Sequence, residues 1–146
     1  MSREQSLRNG AGLMVFGALI FLVYAVVFFF RAFGSSGFEI GVETLNGVTP
    51  QQLDRLNPAI MGYITHLHVA TAGFIAATAI AAGGLAWYGV RDGLWWAWIT
   101  GVIVPVVGLA MALPLHYLGT IIYVVGAAVA LLGLSQAAPG AARAAH

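Results

Sequence analysis

Histidine is the residue of this chain best suited to chemistry, and three of the four histidines fall near the ends of predicted helices. His66 and His68 lie early in a long apolar run, and His116 follows a proline at the start of another. An imidazole can transfer protons near neutral pH or ligate a metal or a haem iron. Because successive helical residues turn by about 100°, His66 and His68 should point about 200° apart. We expect one of them to face His116 and the other to face outward.

Composition excludes most other kinds of site. The chain has no cysteine and no lysine, which removes thiolate catalysis, cysteine-type zinc sites and Schiff-base chemistry. The formal net charge is +1 and no basic cluster is present, so nucleic acid is excluded as a partner. A polar site in this chain therefore depends on histidine, with help from nearby tyrosine and carboxylate groups.

The amino-acid content is that of a membrane protein. Apolar residues make up 60% of the 146 residues and charged residues only 8%, whereas soluble proteins are about half apolar and about a quarter charged. We predict an all-α integral membrane four-helix bundle with up-down-up-down topology, in a single domain over residues 1–134. Its four predicted spans cover about residues 11–30, 59–88, 94–113 and 115–134. Residues 135–146 are predicted to form a disordered tail.

The segment between the first two spans has the signals of an ordered extramembrane loop. Phe38 to Leu45 alternates weakly, as in a short strand, and Asn46-Gly47 is a typical hairpin turn. Thr49 and Gln52 are spaced as a capping box for a short helix. We therefore expect this loop to be folded.

Asparagine and proline residues mark the remaining predicted boundaries. Asn57 is placed to cap the helix that contains the second span, with Pro58 at its first position. Pro105 should kink the third span, and Pro114 is the predicted point of reversal into the fourth.

Arginine positions predict the orientation. With four spans, one side of the membrane carries four arginines and the other carries two, which places the larger set and both termini on the cytoplasmic side. The larger set is Arg3, Arg8, Arg91 and Arg143. The smaller set is Arg31 and Arg55. The predicted loop and the three histidines then share the outer face.

The candidate binding residues are those that combine polar chemistry with this outer location. They are His66, His68, His116, Tyr117, Glu39 and Glu43. His68 and His116, on different spans at matching depth, are the candidate metal or haem ligands.

Three functions remain open from the sequence. The leading hypothesis is a non-catalytic membrane protein, either a bundle that binds lipid or a small molecule or an accessory subunit of a larger complex. A haem b or divalent-metal redox protein that uses His68 and His116 is the second. A lipid-modifying enzyme, such as an isomerase with histidine acid–base groups, is the third. Membrane lipid is the expected partner, together with a homo-oligomer or a larger membrane complex.

Two resemblances accompany these hypotheses. His66-Leu67-His68 with Gly73-Phe74 is similar to His-x-His segments of haem–copper oxidase relatives, which implies haem ligation. Asn57-Pro58, the His-x-His motif and the run from Val90 to Trp98 together resemble small uncharacterised four-span bacterial integral membrane proteins. That second resemblance covers about Thr49 to Trp98 and implies an architecture and a bacterial origin but no activity.

Overall fold

The computed structural model describes residues 2–34, 38, 42–112 and 117–136, with backbone alone at 109–112 and 117–120. This part of the chain is helical, which confirms the all-α prediction. Its helices are α1 (Arg3–Arg31), α2 (Pro50–Leu56), α3 (Pro58–Gly84), α4 (Trp95–Ala112) and α5 (Tyr117–Ser135). A π-helical segment, Leu85–Val90, continues α3. The predicted reversal at Pro114 and most of the predicted tail lie outside the described residues.

The loop between α1 and α3 contains the predicted turn. Asn46 and Gly47 have φ angles of 51° and 81°, and the turn is closed by two backbone hydrogen bonds of 2.9 Å between Leu45 and Val48. Glycine and asparagine suit this left-handed backbone because they tolerate positive φ. Leu45 and Val48 form a single antiparallel bridge, and the described residues contain no longer strand. Part of the strand predicted over Phe38 to Leu45 lies outside the described residues.

The predicted helix caps are confirmed. The Gln52 N–H donates to Thr49 Oγ1 at 3.2 Å, and the Thr49 N–H donates to Gln52 Oε1 at 2.8 Å. The Ala59 N–H donates to Asn57 Oδ1 at 3.1 Å at the start of α3. Each bond satisfies an amide that the first turn of a helix leaves without a partner. With only Asn57 between them, α2 and α3 follow one another directly.

The chain divides into two compact units. The first unit comprises Met1–Ile20 and Thr78–His146, and the second comprises Phe21–Ala77. Helices α1 and α3 each contribute residues to both units. The arrangement of the helices as one four-helix bundle, and its up-down topology, stay predictions.

Small residues let α1 and α5 approach closely in the first unit. The buried cluster there is dominated by alanine, with Met14 and Tyr123 as its large members. A Cβ added at Gly126 would lie 2.5 Å from the backbone nitrogen of Met14, and one at Gly10 would overlap the backbone of Ala130. Such backbone contact is typical of helices that associate in lipid, where packing replaces the hydrophobic effect.

The second unit packs the end of α1 against α3. Phe28, Ala32 and Ala72 are buried there. The Thr65 hydroxyl donates to the carbonyl oxygen of Ala32 at 3.2 Å. This bond satisfies a carbonyl that lies just beyond the last residue of α1 and therefore ties the two helices together.

Two helical stretches, Arg3–Arg31 and Pro58–Val90, are long and apolar enough to cross a membrane. In their most apolar windows only 28% and 22% of the residues are buried, whereas the core helix of a soluble protein is mostly buried. Large apolar side chains instead point outward, among them Phe16, Val23, Phe30, Phe74 and Ile80. This exposure favours association with a membrane.

Candidate functional site

The two neighbouring histidines occupy different environments on α3. His68 is half-buried, and its ring centroid lies 4.8 Å from that of Phe28 on α1, with the two planes tilted by 48°. His66 is exposed. The two imidazoles therefore face different directions, as a spacing of two residues on a helix requires. His116 lies outside the described residues, so its approach to His68 stays a prediction.

The remaining candidate residues are not gathered around His68 in the described part. Glu43 is exposed in the loop just before the Asn46-Gly47 turn. Tyr117 is the first residue of α5, described there as backbone alone, and Glu39 lies outside the described residues. Over the described ranges, no group of three or more histidine and carboxylate side chains could hold a metal ion.

An open cleft of about 360 Å³ lies in the second unit, at the end of α1. Its volume is within the usual range of small-molecule sites, about 300–1,000 Å³. The end of α1, the start of α2 and the first turns of α3 form its walls. Its lining residues are Ala32, Phe33, Gly34, Pro50, Asp54, Met61 and Thr65.

The lining of the cleft presents both apolar and polar surface. Phe33, Pro50 and Met61 are its large apolar lining residues, and Asp54 supplies a carboxylate. The Thr65 hydroxyl already donates to Ala32, which leaves its oxygen as an acceptor. Such a site suits an amphiphilic ligand whose polar end can donate hydrogen bonds to Asp54.

Sequence reasoning did not find this cleft, although it found the elements that build it. The capping box that begins α2 at Pro50 and the Asn57 cap that begins α3 at Pro58 set the two inner walls. The sequence signal for this region was the pair of helix starts, separated by the seven residues of α2. The sequence did not show that the end of α1 packs against these two helices.

Arg31 adds an unusual feature next to this cleft. It is the last residue of α1, directly before Ala32, and its Nε atom is buried without a hydrogen-bond partner among the described residues. A buried donor without a partner costs about 1–3 kcal/mol. Part of the Arg31 guanidinium is therefore withdrawn from water.

Two polar side chains in the first unit form bonds between helices. The Tyr123 hydroxyl on α5 donates to the carbonyl oxygen of Gly101 on α4. In return, Trp98 Nε1 on α4 donates to the carbonyl oxygen of Ala127 on α5 at 2.8 Å. Both side chains are thus engaged in holding the helix pair together.

The Gly101 carbonyl needs this partner because of Pro105. In a regular helix the amide of residue 105 would donate to the carbonyl four residues earlier, but proline has no N–H. Helix α4 nevertheless continues through Pro105, and Tyr123 supplies the missing donor. Satisfaction of freed carbonyls by neighbouring helices is the usual way in which membrane helices tolerate proline. Sequence reasoning singled out Pro105 but missed Tyr123.

No family model matches the chain, and no curated protein or solved structure is significantly similar to it. The resemblances to four-span bacterial proteins and to His-x-His segments stay expectations.

Proposed function

We propose that this chain is a non-catalytic integral membrane protein with four membrane crossings, which binds a lipid or another small amphiphilic molecule. The crossings run up-down-up-down in a bacterial inner membrane, with both termini on its cytoplasmic side. The outward-facing apolar side chains of α1 and α3 support the membrane environment. An α-helix satisfies its own backbone bonds, so such helices are stable in hydrocarbon.

The cleft at the end of α1 is the observation that carries the binding role. Its lining combines apolar side chains with polar surface that includes the Asp54 carboxylate, and it lies beside the exposed apolar surface of Phe29, Phe30 and Phe33. A ligand with an apolar body and a polar end matches both surfaces. A role in binding is also favoured over catalysis because Thr65, Tyr123 and Trp98 use their polar groups to hold helices together.

Native mass spectrometry of the purified protein tests this proposal. We expect a co-purified lipid or amphiphile in the wild type and its loss in Met61→Trp, because the larger indole fills the cleft. Tyr63→Trp is the matched control, since Tyr63 lies on the same helix but is exposed and does not line the cleft. Equal occupancy in both variants, or no bound molecule in the wild type, would contradict the proposal.

A visible spectrum and a metal assay separate this function from the redox alternative. The half-buried position of His68 against Phe28 is the observation that favours that alternative. A Soret band, or stoichiometric metal, that disappears in His68→Ala or His116→Ala would establish the redox protein. A colourless, metal-free protein with bound amphiphile would support the binding function.

A further inference from the structure

Tryptophan is concentrated in one short stretch of the first unit. All four tryptophans of the chain fall between residues 87 and 98. Trp87, Trp95 and Trp96 are exposed, together with Tyr88, whereas Trp98 is half-buried and bonded to α5. Indole and phenol rings combine apolar bodies with polar tips, which is why they collect where hydrocarbon meets water.

A compact turn joins the π-helical segment to α4 and carries Arg91, which contacts one of these rings. The backbone N–H of Arg91 donates to the Ala86 carbonyl at 3.1 Å, and the backbone N–H of Gly93 donates to the Val90 carbonyl at 3.0 Å. Gly93 has a φ angle of 79°, which favours glycine at this position. The Arg91 guanidinium carbon lies 4.7 Å from the centroid of the Trp87 ring. This cation–π contact holds the charge over the indole.

A second guanidinium lies against the same turn. A Cβ added at Gly93 would come within 2.7 Å of Arg3 Nη2, so the Arg3 side chain reaches the turn from α1. Arg3 and Arg91 are both exposed, and no ion pair joins either to a carboxylate within the described part of the chain. Segments 3–8 and 91–93 together carry three positive and two negative formal charges, a net +1: Arg3, Arg8 and Arg91 against Glu4 and Asp92.

We propose that this surface, formed by Arg3, Arg91, Trp87, Trp95 and Trp96 and here called the arginine–tryptophan surface, binds the phosphate of an anionic phospholipid. Guanidinium groups bind phosphate through paired N–H donors. Exposed indoles beside them fit the glycerol and upper acyl region of the same lipid. A soluble phosphate compound would match the arginines alone and leave the rings in water. The inference rests on the proposed function as a membrane protein.

Lipid quenching of tryptophan fluorescence tests this inference, because every tryptophan lies in this region. The full chain in detergent micelles is titrated with brominated phosphatidylglycerol or brominated phosphatidylcholine, whose bromine atoms quench indole on contact. We expect phosphatidylglycerol to quench at a several-fold lower mole fraction. Arg91→Gln and Arg3→Gln should each lower this preference by about fivefold. Arg55→Gln is the matched control, because it removes the same charge from exposed α2 and should leave the preference unchanged.

The quenching results test phosphate binding and membrane insertion separately. Equal quenching by both lipids would overturn the headgroup inference and leave the membrane proposal intact. Absence of quenching by either lipid would overturn both. An equal loss of preference in Arg55→Gln would show a general charge effect and so refute a specific surface. For wild-type protein, the preference should fall at about 1 M salt, where the screening length is about 3 Å, and an unchanged preference would also refute the inference.

Discussion

Replacing Tyr123 by phenylalanine should destabilise the protein more when Pro105 is present than when alanine replaces it. The substitution removes one hydroxyl from a side chain that is 4% exposed and so leaves the Gly101 carbonyl without its donor. An unsatisfied buried acceptor costs about 1–3 kcal/mol, and hydrogen bonds between membrane helices reach about 1.7 kcal/mol. We therefore expect a loss of about 1–2 kcal/mol in the free energy of unfolding.

The same substitution should be milder in a Pro105→Ala background. Alanine at this position restores an N–H that can bond to the Gly101 carbonyl in the regular helical pattern. The cost of Tyr123→Phe should then fall to about 0.5 kcal/mol or less, which corresponds to a coupling energy of about 1 kcal/mol between the two sites. If Tyr123 only packed against α4, the cost of Tyr123→Phe would be the same whether or not residue 105 carries a backbone N–H.

Reversible unfolding in mixed micelles, followed by circular dichroism, measures all four members of this cycle. Tyr63→Phe is the control, since Tyr63 is an exposed tyrosine of the second unit and its substitution should change stability little. If Tyr123→Phe costs the same with proline and with alanine at position 105, the assignment of Tyr123 as the replacement donor is refuted.

Three further outcomes follow from the contacts described above. Gly126→Ala should lower the free energy of unfolding by about 1–3 kcal/mol, because the added methyl group would collide with the backbone of α1. Gly12→Ala is the control, since its methyl group would enter open space. Equal unfolding curves for the two variants would contradict the close approach of α1 and α5. Thr49→Ala should cost about 1 kcal/mol and speed proteolysis of the loop before α2, and an unchanged cleavage rate would count against an ordered loop. Single cysteines introduced at positions 36 and 135 should label from opposite sides of the membrane; labelling of Ser36→Cys and Ser135→Cys from one side would refute four crossings.

The local features of this protein were predictable from its sequence. The Asn46-Gly47 turn, the capping box at Thr49 and the Asn57 cap depend on residues at most three positions apart. Their geometry follows from the backbone preferences of those residues and from the amides that helix starts leave unpaired. The helical character of the chain is equally local, since an apolar run of about twenty residues is long enough to cross a bilayer as a helix, which satisfies its own backbone.

The contacts between helices were not predictable in the same way, because these helices are apolar on every side. An amphipathic helix shows which face it buries, but a helix with apolar residues all round does not. The sequence could therefore name Pro105 as a break in hydrogen bonding, yet it could not show that Tyr123, eighteen positions later, repairs it. The same holds for the cleft and the arginine–tryptophan surface, where Arg3 meets Gly93 across ninety residues of chain. Only the rotation and depth of each packed helix decide which distant side chains meet.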